Sequence, residues 1–268
     1  MYLEYWQLKE KPFENAADPR FFFHSSLHEE ALNRLLYAVR EKKGAAMLSG
    51  VYGCGKTLIA ETLKDELSSN GRYRTAFLFN PLMDNVDLLR EIVYQLGPRE
   101  TLPRDKTELL HRLGTILEQN DNDGKNTVVI IDEAQIIQDE KVFDELRLLL
   151  NFQRKGSFLL TLVLIGQPEL SDRVNNMKQL QQRISVSYYL DRLSLEKVEQ
   201  YIRHRLRVAG REAPIFTPDA VRLISEQSGG IPRRINHLCD LALLAGFSQG
   251  ASEITPAIIQ DVSQDLEL

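Results

Sequence analysis

The residues Gly50-Val51-Tyr52-Gly53-Cys54-Gly55-Lys56-Thr57 follow the spacing G-x-x-x-x-G-K-[ST]. Glycines let backbone N–H groups turn inward around phosphate oxygens, and a helix starting at the end of the run adds its positive dipole end. Lys56 would reach the β- and γ-phosphates, and the Thr57 hydroxyl would ligate Mg²⁺. The four fixed positions would coincide by chance in about one chain of this length in a hundred, before a preceding strand and a following helix are required. The whole run Gly50, Val51, Tyr52, Gly53, Cys54, Gly55, Lys56, Thr57 and Leu58 is therefore the candidate nucleotide-binding segment.

A second group completes that chemistry. Four apolar residues, Val128-Val129-Ile130-Ile131, lead into Asp132-Glu133. They place both acids at the carboxyl end of a buried strand, where open α/β sheets bind ligands. Asp132 would hold Mg²⁺ through water, and Glu133 would orient or deprotonate the attacking water. An acidic pair favours a hydrolysing ATPase over a nucleotide kinase. Cys54 occupies a variable loop position at a helix start, where a partly exposed thiol would be reactive.

These side chains need a sheet to carry them. Short apolar runs at residues 45–48, 75–79, 127–131, 158–165 and 186–190 read as strands. Amphipathic runs between them (57–67, 86–96, 106–118 and 142–152) read as helices, with a turn-rich stretch at 120–126. Apolar strands alternating with helices predict a parallel sheet covered on both faces. From about Ser194 the pattern is helical throughout. Thr217-Pro218 and Thr255-Pro256 are helix-start signals, with threonine at the cap and proline in the first turn. The expected division is a nucleotide-binding domain over 1–193, including an aromatic amino-terminal segment (Tyr2, Tyr5, Trp6, Phe13, Phe21, Phe22, Phe23), and a helical domain over 194–268.

Composition narrows the alternatives. A chain of 268 residues with 43% hydrophobic and 26% charged residues can bury a core without staples. A formal charge of -5 disfavours wholesale polyanion binding, so any nucleic-acid site must be a local basic face. The two cysteines match no metal or redox spacing, and no apolar run approaches the ~20 residues of a spanning helix. With no signal peptide pattern either, a soluble cytoplasmic protein is expected.

With these residues in hand, the chain resembles AAA+ ATPases, and more closely the general secretion pathway protein A (GspA, ExeA-type) family, which is similar to the transposition regulators TniB and TnsC. The resemblance runs over nearly the whole chain. It is carried by Leu8-Lys9-Glu10-Lys11-Pro12-Phe13, Asp18-Pro19-Arg20-Phe21-Phe22-Phe23, the glycine-rich loop, Asp132-Glu133-Ala134-Gln135, Gly166-Gln167-Pro168-Glu169-Leu170, Gln182-Arg183-Ile184 and Gly230-Ile231-Pro232-Arg233-Arg234-Ile235-Asn236. It implies a P-loop NTPase of α/β class: an AAA+ αβα sandwich with a five-stranded parallel sheet, followed by a small helical lid. It also implies ATP and Mg²⁺ as cofactors, with Lys56, Glu133 and Arg183 catalytic, and Thr57 and Asp132 on the metal. Gln167 would be the polar group sensing the γ-phosphate, although other AAA+ proteins more often use arginine, asparagine or threonine there. Arg183 would be an arginine finger supplied in trans within a homo-oligomer, with Arg173 as the alternative. Arg233 would be the lid arginine, a role Arg234 could exchange with it. Phe22, Phe23 and His28 fall where related ATPases form the adenine pocket, shared between core and pocket.

The partner stays open between two classes. One is a component of a secretion or export machine, cytoplasmic or held at the inner membrane through a partner. The secretion relatives carry a membrane segment and a peptidoglycan-binding region that this sequence does not show. The other is an ATP-gated scaffold on duplex DNA. Arg203, Arg205, Arg207 and Arg211 could form its basic stripe, with Lys42 and Lys43 as a second spot. The competing reading is a solvated helix face paired with Glu196 and Glu199.

Overall fold

The computed structural model describes residues 2–98 and 102–265. In chain order its elements are α1 (Tyr2–Tyr5), α2 (Ser26–Arg40), β1 (Ala45–Gly50), α3 (Lys56–Ser69), β2 (Tyr73–Leu78), α4 (Asn85–Leu96), α5 (Lys106–Asn122), β3 (Asn126–Ile131), α6 (Glu140–Leu149), β4 (Gln153–Arg154), β5 (Ser157–Phe158), β6 (Leu160–Gly166), α7 (Pro168–Asn176), α8 (Lys178–Gln181), β7 (Ile184–Leu190), α9 (Leu195–Val208), α10 (Pro218–Ser228), α11 (Pro232–Gln249) and α12 (Pro256–Asp265). Short 3₁₀ turns lie at Pro19–Phe21 and Ala134–Ile136. The chain divides into two compact units. One comprises the described parts of Met1–Ser26, Val51–Leu58 and Asp191–Leu268, and the other Leu27–Gly50 and Ile59–Leu190.

The second unit is built on one parallel sheet in the order β2-β3-β6-β1-β7. All five strands expected from the apolar runs are present. Strands β1 and β6 are buried along their whole length. Successive side chains of a strand point to opposite faces. One face, with Met47, Val129, Ile131, Leu162 and Leu164, packs with Leu89, Ile92, Leu113, Val142 and Phe143 from α4, α5 and α6. The intervening residues Leu48, Val128, Ile130, Val163 and Ile165 are equally buried. Burial on both faces is why these strands read as continuous aliphatic runs rather than alternating ones.

Two local features depart from the periodicity. Helix α5 continues to Asn122 through part of the stretch read as a turn, because buried Asn120 donates to Thr127 Oγ1 at 3.0 Å. A small antiparallel hairpin, β4–β5, precedes β6. Its two central residues, Lys155 and Gly156, have φ of 51° and 79°. Positive φ at both positions is the backbone of the tight hairpin turn whose twist suits two paired strands.

The first unit is helical. Helices α9 to α12 bury Val198, Ile202, Ile224, Leu238, Leu243 and Ile259 around one core, which also takes in Trp6, Leu8 and Phe13 from the amino-terminal segment. Trp6 donates its indole N–H to the Leu243 carbonyl at 2.9 Å, and Tyr2 donates to Asp240 Oδ1 at 2.7 Å. Arg205, 4% exposed, holds the rest of that segment. Its guanidinium donates to the carbonyls of Pro12 and Glu14 and to the Tyr201 hydroxyl, and lies 4.7 Å from the Phe21 ring centre. Tyr201 passes the chain of bonds to Asn236, which in turn donates to Asn15 Oδ1 at 3.0 Å. The Thr217 hydroxyl caps α10, accepting from the Ala220 N–H, with Pro218 behind it as expected.

Candidate active site

Strand β1 ends at Gly50 and α3 opens at Lys56, so the glycine-rich loop sits between a buried strand and a helix start. Gly53 and Gly55 adopt φ of 80° and 96°. At Gly53 a side chain would also collide with its surroundings: a Cβ there would meet Arg233 Cβ at 2.9 Å and Ile231 Cγ2 at 3.0 Å. Lys56, 6% exposed, donates its ammonium to the Val51 carbonyl at 3.0 Å, so the cation is folded over the loop's own backbone. Tyr52, 56% exposed, stands at the loop tip. Arg233 stacks on that ring at 5.1 Å, donates to its hydroxyl, and gives its backbone N–H to the Gly53 carbonyl at 3.2 Å. Within this unit the fold thus brings the start of α11 onto the loop through Arg233.

The expectation for Cys54 is corrected. The side chain is fully buried, and burial is the main cause pushing its thiol up to about 11, with the Lys56 ammonium only partly opposing this. A thiol that stays protonated at neutral pH is a poor nucleophile. Cys54 is a packing residue of the loop.

The acidic group belongs to the other unit. Asp132, 3% exposed, follows β3 directly, and its backbone N–H donates to the Leu78 carbonyl on β2. Glu133 adopts φ 52° and ψ 33°, the left-handed region that costs a side-chain-bearing residue roughly 1–2 kcal/mol. Its N–H donates to Asp132 Oδ1 at 2.9 Å, and its Oε2 accepts from Gln135 Nε2 at 2.5 Å. Gln135 Oε1 then accepts the backbone N–H of Gln167, the residue capping α7 just after β6, at 3.0 Å. Asp132, Glu133 and Gln167 are therefore brought together, with Gln135 as the link. The sequence motif contains Gln135 but offers no signal for that task, which depends on β3 and β6 being neighbours.

A Thr57 hydroxyl and an Asp132 carboxylate are hard oxygen donors. Mg²⁺ typically takes one or two such protein ligands and fills its remaining positions with phosphate oxygens and water. The donor set fits. Among the described residues no group of three His, Cys, Asp or Glu side chains forms a metal cluster.

The two finger candidates differ. Arg183, half-buried in the turn before β7, donates to Asn151 Oδ1 at 3.2 Å. Arg173 on α7 lies over the buried ring of Phe143 at 5.7 Å. Phe22 is buried edge-on against His24, while Phe23 packs on Tyr201 and His204 of α9. His28 is buried in α2, in the other unit. The arginines of α9 do not form a uniform stripe. Arg203 pairs with Glu199 at 2.8 Å and Arg207 with Glu212 at 3.2 Å, while Arg211 lies beyond the end of α9 and donates to the Trp6 carbonyl at 2.7 Å. Arg205 faces the core, and Glu196 accepts from Gln200 rather than from an arginine. Lys42 pairs with Asp121, and Lys43 lies over the Tyr37 ring. No helix among the described residues is long and apolar enough to cross a membrane.

Comparison with known proteins adds to this geometry. The family model described as an AAA domain matches residues 39–174. The chain is 38% identical over 260 residues to general secretion pathway protein A of Aeromonas hydrophila, covering 95% of this chain and 46% of that protein. It is 24% identical over 174 residues to an uncharacterised HTH-type transcriptional regulator of Methanocaldococcus jannaschii, covering 63% of this chain and 40% of that one. The chain thus spans less than half the length of these curated relatives. Similar solved structures include Drosophila ORC bound to DNA (TM-score 0.69, 19% identity, 94% of this chain and 65% of that one). The Aeropyrum pernix ORC2 protein in its ADP form matches with TM-score 0.67 and 16% identity over 91% of this chain and 71% of that one. The Thermotoga maritima RuvB Holliday junction branch migration motor matches with TM-score 0.62 and 17% identity over 96% and 74%. At these identities the likeness concerns the fold alone.

Proposed function

The chain belongs to the AAA domain family, a P-loop ATPase fold, and from that premise we propose that it binds ATP with Mg²⁺, hydrolyses it, and couples the nucleotide state to assembly or remodelling of a secretion or export machine. Residues Gly50 to Leu58 hold the phosphates through inward backbone N–H groups. Lys56 exchanges its bond to the Val51 carbonyl for the β- and γ-phosphate oxygens. Thr57 and Asp132 would hold the Mg²⁺, which would neutralise charge on the phosphates. Glu133 takes up the attacking water, Gln167 contacts the γ-phosphate, and Arg183 acts on the ATP of a neighbouring copy in a homo-oligomer. The helices after residue 193 serve as a lid domain, with Arg233 as their contact to the bound nucleotide. The place of action is the cytoplasm, or the inner membrane face through a partner.

The observation that carries the secretion reading is the 38% identity to general secretion pathway protein A over 95% of the chain. The DNA-scaffold alternative has less to stand on, because the arginines of α9 are paired or buried. Duplex DNA titrated against the protein with a non-hydrolysable ATP analogue, then with ADP, separates the two. No binding in either state is expected. Tight, salt-sensitive binding with the analogue alone would reverse the choice.

A further inference from the structure

We propose that Gln135 is a positioning residue for hydrolysis, its amide bracing the Glu133 carboxylate against the carboxyl end of β6. The inference rests on the reading of Glu133 as the group that activates water.

The brace has a defined direction. A carboxylate only accepts and a backbone N–H only donates, so the bonds to Glu133 Oε2 and from the Gln167 N–H fix the amide in one orientation. Its two anchors sit at the exits of neighbouring strands, with Ile131 opposite Leu164 in the register. At Glu133 the backbone is already held by the bond from its own N–H to Asp132, so the amide settles the freedom left in the side chain. Both Glu133 and Gln135 are half-buried, and between them Ala134 is fully buried.

An independent feature makes room for this arrangement. A Cβ at Gly166 would meet Gln135 Oε1 at 2.7 Å and Leu170 Cδ2 at 2.8 Å. The φ at Gly166 is not in the left-handed region, so backbone conformation does not call for glycine there. The glycine at the end of β6 is the seat of the Gln135 amide.

Misplacing a reacting group by about 1 Å costs roughly a hundredfold in rate. Freeing Glu133 should therefore lower kcat about 10- to 100-fold while ATP affinity stays nearly unchanged. The informative variant is Gln135→Glu. It is isosteric and keeps the acceptor toward the Gln167 N–H, but sets a carboxylate against Glu133 where a donor had been. A loss in kcat at least as deep as that of Gln135→Leu identifies the donated bond as the cause. A Gln135→Glu protein with wild-type kcat would mean that Gln135 merely packs, and would overturn the proposal. Gly166→Ala, whose methyl would crowd the same amide, should also lower kcat. Glu133→Gln measured in parallel separates the two levels. Wild-type hydrolysis there removes the underlying reading, whereas a dead Glu133→Gln beside an unimpaired Gln135→Glu removes the positioning role alone.

Discussion

Replacing Arg205 by alanine tests how the amino-terminal segment is held within the helical unit. The guanidinium supplies three donors, to Pro12 O, Glu14 O and Tyr201 Oη. Two of these acceptors have company after truncation. Tyr201 still donates to Asn236, and the Glu14 carbonyl lies 3.5 Å from Asn236 Nδ2. The Pro12 carbonyl is left without its arginine donor, at about 1–3 kcal/mol for a buried group. Loss of the cation–π contact to Phe21 adds about 1–2 kcal/mol for a desolvated pair, and relief of the buried charge offsets part of the sum. The net expectation is about 3 kcal/mol, or roughly a hundredfold in the folded-to-unfolded ratio. Trp6, the single tryptophan, is buried in the same unit, so its emission during urea unfolding reports the loss directly. Arg205→Lys should recover less than half, because an ammonium cannot span the forked set of acceptors. A loss below about 1 kcal/mol for Arg205→Ala would refute the anchoring argument.

Further outcomes are expected at the site. Arg183→Ala should leave ATP binding nearly intact and cut hydrolysis by about 10³-fold or more in steady-state phosphate release; wild-type turnover would remove it as the finger. Lys56→Ala should weaken ATP about 10- to 100-fold in equilibrium binding, the scale of a charge-assisted hydrogen bond to phosphate. Gly53→Ala should impair hydrolysis and lower the melting temperature, since the methyl meets Arg233 and φ is unfavourable; unchanged activity and melting would contradict the close approach. The Cys54 thiol, held protonated by burial up to about 11, should resist alkylation of the folded protein at neutral pH. Because the unfolded thiol ionises first, its contribution to stability is present below about pH 9 and declines as the pH rises toward 11. Rapid native-state labelling at Cys54 would show the loop to be open.

Most of the sheet was legible because strands buried on both faces leave uninterrupted aliphatic runs, as at Val128–Ile131. The glycine-rich loop was legible because backbone geometry restricts the residue types it can use. What escaped depends on partners distant in sequence. The fourfold spacing of Arg203, Arg207 and Arg211 reads as one helix face, but α9 ends at Val208 and leaves Arg211 beyond it, and nothing local says that Arg205 turns inward to the Pro12 and Glu14 carbonyls. Asn120 belongs to a turn-forming residue type, yet its bond to Thr127 comes with a longer α5. The β4–β5 hairpin was hidden in a two-residue turn, with Gly156 as its only local sign. Gln135 was visible as a letter in a motif, while its task required knowing which strand lies beside β3.

The order β2-β3-β6-β1-β7 also sets a timetable for synthesis. Strand β1 leads directly into the phosphate loop, yet both of its hydrogen-bonded neighbours, β6 and β7, come from residues 160–190. A ribosome adding about 5–20 residues per second needs roughly 7–28 s to travel from residue 50 to residue 190. During that interval the apolar edges of Ala45–Gly50 have no partners of their own sheet, while β2 and β3 can already pair. The nascent chain must therefore carry an incomplete phosphate loop and an unpaired apolar strand until the last strand emerges. This is the period in which chaperone protection would matter most.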